Sequence, residues 1–304
     1  MKQNTAVPAE GEETIARVNV RNAVKEISMK VLFAISAAVF IAAVLIICIY
    51  LLWQAIPTIG EIGFINFITD DIWMIDEGRF GIGSLVVGTT LSTLGALVVG
   101  VPIGLLTATF MAFYCPAWLY KILKPLTNIL AGIPSIVYGY FGLTTIVPIS
   151  REIVGGAGYN LFTTSIVLGI MVLPTIISIT ENSLRAVPKS FYEGAVALGA
   201  TKERAIVRTM FPAAGSGVLT AIILGMGRAI GETAAITFIC GNIAQVPESL
   251  ADPFITLASA IASGMGYANP NNLERASLIA VAAVLFLIVL IITTIVMLLK
   301  KKKY

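Results

Sequence analysis

Six long apolar stretches separated by polar ones dominate the pattern of this 304-residue chain. They run Val31–Trp53, Ile82–Phe113, Leu126–Val147, Leu161–Thr180, Ala213–Cys240 and Ser277–Leu299. An α-helix needs about 20 apolar residues to cross the ~30 Å hydrocarbon core of a bilayer, and each stretch reaches that length. Lipid offers free backbone groups no partner, so the pattern predicts helices. The reading is an all-α, polytopic membrane protein with six transmembrane helices. The second stretch is longer than a bilayer requires and contains Gly95, Gly100, Pro102 and Gly104, so a tilt or break is expected there. The third is expected to break at Gly132–Pro134. Residues 54–80 mix Phe64, Phe67, Trp73 and Phe80 with acids, as an interfacial segment does. The apolar part of residues 250–263 is too short to span and predicts a re-entrant or surface-lying helix.

Composition agrees with this pattern and removes several chemistries. The chain is 57% hydrophobic and only 12% charged, against about 25% charge in soluble domains. Its mean hydropathy is +0.92. It has no histidine, and Cys48, Cys115 and Cys240 have no paired spacing. A zinc or haem site is therefore excluded, no cofactor is expected, and the cysteines read as small buried hydrophobes. A metal-dependent membrane enzyme falls with them. No G-x4-G-K-[ST] phosphate loop occurs, so the chain cannot cradle ATP in that way. No nucleic-acid partner is expected.

The charges fix an orientation. Sixteen Lys and Arg residues fall in the N-terminal tail, the 114–125 and 181–212 loops and the C-terminal tail, against Arg79, Arg151 and Arg275 on the other side. The opposite loops also hold Glu61, Asp70, Asp71, Asp76 and Glu77. Basic loops stay cytosolic, so both termini are placed there. Residues 1–29 lack the features of a cleaved signal peptide and read as a cytosolic tail. Residues 30–304 read as one transmembrane domain with a cytosolic loop at 181–212.

That loop has its own structure. Ser190 and Glu193 have the spacing of a capping box, which would start a helix at Phe191. The helix carries Gly194, Ala195 and Ala197; Gly199 can end it, and Thr201 can cap a second short helix through Met210. Pro212 then restarts the chain at the membrane. Such a small-residue knob suits docking, although an ordinary capped connector would have the same spacing.

Inside the fifth stretch lie Arg228 and Glu232, four residues apart and thus on one face if the helix is continuous. A charge at mid-bilayer costs on the order of 3 kcal/mol on insertion scales. Two readings stand: an ion pair locking helices together, or a polar patch on a solute path. In the second, Arg228 faces an anion, because its planar fork gives two hydrogen bonds to one oxyanion. Glu232 would keep the anion from being held too tightly, and Thr233 adds a neutral hydroxyl. In the third stretch, Gly132 and Pro134 kink the helix and can expose Ser135 and Tyr138 to the same path.

Several of these segments resemble a known family. Glu193-Gly194-Ala195, then Gly199, then Pro212 is similar to the EAA loop of bacterial ABC importer permeases, with Gly194, Thr209 and Phe211 departing from that pattern. LAGIPSIVYG (Leu130–Gly139), LGMGRAIGETAAI (Leu224–Ile236) and RFGIGSLVVGTT (Arg79–Thr90) resemble phosphate ABC importer permeases of the PstC type. The resemblance implies a type I, MetI-like permease fold, with an EAA loop that fits a groove on a cytosolic ATPase. It implies import of inorganic phosphate with a PstA-type second permease, two ATPase subunits and an extracytoplasmic phosphate-binding protein. Importers of sulfate, molybdate or phosphonate remain alternatives, as does an ion-coupled carrier with Glu232 as its proton site.

Overall fold

The computed structural model describes residues 10–74, 78–269 and 272–301. Lys2, Asp76, Glu77, Lys302 and Lys303 lie outside them. The chain forms two compact units, Met1–Trp53 and Gln54–Tyr304. The first is helical, within α1 (Glu10–Ile62), which runs past the expected end of its span at Trp53 and contains Pro57. Among its described side chains, Glu26 to Trp53 are exposed or half-exposed throughout. A helix apolar on every side needs an apolar medium around it.

The second unit opens with α2 (Phe64–Thr69) and a minimal hairpin, β1 (Trp73–Met74) against β2 (Arg79–Phe80). Trp73 meets Phe80 edge-to-face at 5.4 Å between ring centres. Arg79 bonds Asp70 at 2.8 Å and holds that half-buried carboxyl below the usual Asp range. The 54–80 segment is thus an ordered helix–hairpin rather than a loose interface.

Its core is built where α3 (Gly83–Thr109) lies along α7 (Leu161–Ala186). The expected break in the second stretch does not occur: α3 is unbroken through Pro102, whose missing donor sits on the exposed side. The glycines bring helices together instead. A Cβ on Gly95 would lie 2.0 Å from Ser165 Oγ, one on Gly100 2.6 Å from Val172, and one on Gly104 2.7 Å from Ile176. In lipid, helices associate through such close packing. Leu168, Met171, Val172 and Ile176 of α7 form the centre of the core with Phe254. α7 starts at Asn160, whose buried side chain accepts the Thr163 N–H at 2.9 Å.

The third stretch breaks where proline and glycine predict. α4 (Ala117–Gly132) meets the helix starting with α5 (Ser135–Phe141) and ending with α6 (Val147–Ile153) at 95°. Pro134 forces Ile133 into an extended conformation, which stops α4. Because α4 begins at Ala117, Lys121 and Lys124 lie in a helix and not in a connecting loop.

The 181–212 segment forms α8 (Lys189–Ala197), α9 (Lys202–Ala205) and α10 (Phe211–Ala213). A 73° elbow then leads into α11 (Gly215–Ile230), and α12 (Ala234–Ile239) follows a second break. Residues 241–253 are mostly exposed or half-exposed, and the segment becomes buried at Phe254, whose N–H bonds to Cys240 O at 2.9 Å. It ends in α13 (Leu257–Met265), capped by Thr256 and Ser259 and bonded to Thr89 of α3. Leu257–Ala260 are buried, so α13 is not a surface-lying helix. α14 (Leu273–Lys301) closes the unit. Among the described residues, four helices are long and apolar enough to cross a membrane, or up to six if each of the two bent pairs is one span. Only Cys240 is a buried cysteine; Cys48 and Cys115 are half-exposed.

Candidate functional site

Two breaks face each other. The α5 half of the broken third stretch packs on α12, so closely that a Cβ on Gly139 would lie 2.8 Å from Ala235 Cα. Tyr138 is buried here, and its hydroxyl crosses the first break to donate to Leu130 O at 2.8 Å. Ser135 begins α5, one turn before Tyr138, and is half-buried. Arg228 lies in the last turn of α11, close enough for its positive charge to act on the Tyr138 hydroxyl. The negative end of the α11 dipole favours a cation at that position.

Here the structure corrects the sequence reading. Arg228 and Glu232 do not share a helix face, because α11 stops at Ile230. Gly231 is the C-cap, and Glu232 turns its carboxylate forward to accept the Ala235 N–H at 3.0 Å. Among the described residues no ion pair joins Arg228 to an acid. Glu232 is buried and its side chain satisfies one of the free N–H groups in the first turn of α12. Thr233 lies in the same break and bonds back to Gly231 O at 3.2 Å. The five residues expected to line a solute path therefore lie at or beside two helix interruptions, where backbone polar groups are freed from helix. Among the described residues, no group of three His, Cys, Asp or Glu side chains is placed to hold a metal ion.

The 181–212 loop has the two-helix shape expected of it, with one difference. α8 starts after Pro188, and the Ser190–Glu193 capping box is not formed. Proline's fixed φ supplies the start without it. At the other end, Gly199 has φ 84°, its N–H reaches Val196 O, and the Ala200 N–H reaches Ala195 O. This is a Schellman stop, for which glycine is the favoured residue. Thr201 then accepts the Arg204 N–H and starts α9, which continues as a π-helical turn through Met210. A Cβ at Gly194 or Gly199 would meet nothing within 4 Å, so the small surface is open. Glu193 is exposed beside it, Ala195 is half-buried, and Pro212 sits in α10 where the chain re-enters.

One residue escaped the sequence reading. Glu181 of α7 has a fully buried side chain, and its Oε1 accepts Arg185 Nε at 2.6 Å and the Tyr120 hydroxyl at 2.8 Å. Its Oε2 pairs with Lys124 of α4. Arg185 also donates to Met111 O at 2.7 Å and lies 4.3 Å above the Tyr120 ring. Lys202 of α9 donates to Phe113 O at 3.0 Å, over the Tyr114 ring. The paired i,i+4 spacings of Tyr120 with Lys124 and Glu181 with Arg185 were the available signal.

Comparison with known proteins decides the family. Residues 100–303 match the model of the binding-protein-dependent transport system inner membrane component. The chain belongs to that family. Relatives include the probable ABC transporter permease protein YqgH of Bacillus subtilis, 34% identical over 265 residues, which span 86% of each chain. The phosphate transport system permease protein PstC of Haemophilus influenzae is 33% identical over 274 residues, 84% of this chain and 85% of its own. Among solved structures, the MetNI methionine ABC transporter in an inward-facing conformation aligns with a TM-score of 0.55 at 22% identity, over 73% of this chain and 94% of its own. An amino acid ABC transporter gives 0.52 at 18% identity, over 73% and 92%. The fold is that of an all-α, MetI-like membrane permease, and this family's inner membrane component is what the bent spans and open loop build.

Proposed function

We propose that this chain is the permease subunit of an ATP-driven importer of inorganic phosphate. The relatives named for phosphate transport support the substrate class. The observation that carries the chemistry is Arg228, half-buried at the end of α11, paired with no acid among the described residues while the nearby Glu232 is committed to Ala235. A cation held in that state has its guanidinium fork free for an oxyanion, and phosphate offers the matching pair of acceptors. Tyr138, Ser135 and Thr233 line the same two breaks and supply neutral groups along the path. Transport needs weak holding, and a single cation flanked by hydroxyls meets that need better than a cluster of arginines.

In this reading ATP is hydrolysed by two copies of a separate cytosolic subunit, which grip the knob made by Glu193, Gly194, Ala195 and Gly199, with Pro212 at its membrane end. A PstA-type second permease completes the pathway, and a phosphate-binding protein delivers the anion from the other side. Both termini and loop 181–212 face the cytosol. The test is uptake of radiolabelled phosphate by vesicles containing the whole complex, with sulfate as competitor. Arg228→Gln is expected to reduce uptake at least a hundredfold while the complex assembles normally, since about 3 kcal/mol of charge-assisted bonding is lost. Uptake near the wild-type rate, or sulfate competing as well as phosphate, would sink the assignment.

A further inference from the structure

The buried acid at the base of the 181–212 loop has no place in the anion path, yet it joins two helices, α7 and α4. α3 ends in a π-helical turn, Phe110–Tyr114, whose final carbonyls have no partner inside the helix. Two cations of the loop fill that gap: Arg185, at the end of α7, on Met111 O, and Lys202, at the start of α9, on Phe113 O. The loop is thereby fastened to one short turn on both sides of α8. Glu181 fastens α4 to the same place, through Tyr120 and Lys124. From Lys124, α4 runs eight residues to Gly132, about 12 Å at 1.5 Å per residue. At its far end Leu130 O receives the Tyr138 hydroxyl across the break.

We propose that Glu181 is a positioning residue for transport, the joint through which movement of the 181–212 loop reaches α4 and, along it, the break that holds Tyr138. This rests on reading that loop as the ATPase-docking site. The physical case has three parts. The Glu181 side chain has no exposure to solvent while Lys124 and Arg185 are 26% and 43% exposed, so the pairs are screened less than fully exposed ones and the acid has no water to exchange its partners for. Its partners come from α4 and α7, two elements that would otherwise slide past one another. The linkage ends at the bond from Tyr138, one of the groups assigned to the pathway. A buried acid whose only task was packing would have no reason to sit on the line between the loop and the break.

The experiment uses the whole complex in proteoliposomes and measures radiolabelled phosphate imported per ATP hydrolysed, alongside co-purification of the ATPase. Glu181→Gln keeps the shape and the Tyr120 bond but loses the charge that holds Lys124. Pairing it with Lys124→Met removes the less exposed of the two cations left without their acid; Arg185, the other, is 43% exposed and keeps its bond to Met111 O. Tyr120→Phe removes one bond and nothing else. For all three, the ATPase is expected to co-purify and hydrolyse ATP, while phosphate imported per ATP falls on the order of tenfold in the double variant and less in Tyr120→Phe, the range of coupling lost along such a linkage. A double variant with the wild-type ratio overturns the joint and leaves the docking reading intact. A double variant that fails to assemble also overturns it, by showing that Glu181 holds the fold together. Normal import with no ATPase bound would instead overturn the docking reading itself.

Discussion

Glu232 holds the first turn of α12 by accepting the Ala235 N–H at 3.0 Å, just after Gly231 has ended α11. Glutamine can make the same bond through its side-chain oxygen and alanine cannot. Glu232→Gln is therefore expected to leave the thermal stability of the purified complex near wild type, while Glu232→Ala lowers it by about 1 kcal/mol, the usual worth of a side-chain cap. Melting curves of the two variants check this, and equal losses would point to the charge and not to the cap. The residues at this site were legible as chemistry and not as geometry. Four-residue spacing means a shared face only while the helix lasts, and Gly225, Gly227 and Gly231 give no sign of which one ends it. Glu181 was illegible for a different reason: Lys124 and Tyr120 stand 57 and 61 residues away, and only the fold brings them together.

At the scale of elements, the apolar stretches announced their helices because a bilayer imposes a length that any sequence must meet. The bends were harder. Pro134 marks the 95° turn by steric exclusion, whereas the four helix-breaking residues of α3 leave it continuous, since neighbours on α7 occupy the space that side chains would have taken. The glycines there are contact surfaces. Gly100 is the sharpest case, with the Gly169 carbonyl oxygen 2.9 Å from where its Cβ would be. Gly100→Leu should push α3 from α7 and destabilise the folded chain by at least ~1–3 kcal/mol, the usual cost of overpacking. A drop in the yield of monodisperse protein in detergent, with a lowered melting temperature, is the expected result; unchanged values would show that the helices can part freely. The Ser190–Glu193 spacing failed as a signal because Pro188 already sets the start of α8.

For the whole molecule, the orientation drawn from the distribution of lysine and arginine becomes a labelling experiment at two positions that the fold leaves open. Leu198 after α8 and Tyr267 after α13 are each 91% exposed. In a cysteine-free background, Leu198→Cys is expected to react with a membrane-impermeant maleimide only from the cytosolic side, and Tyr267→Cys only from outside. Either site reacting from the opposite side would reverse the topology. The open position of Leu198 has one more consequence, which follows from the left-handed backbone of Gly199 beside it. The stop at Ala195–Ala200 is closed by the chain's own backbone bonds, so the shape of the knob exists before any other subunit arrives. A surface shaped in advance has little conformational entropy left to lose on association. Recognition at this loop is then a matter of rigid fit, and strengthening or weakening it by substitution should change how long the subunits stay together more than how fast they meet.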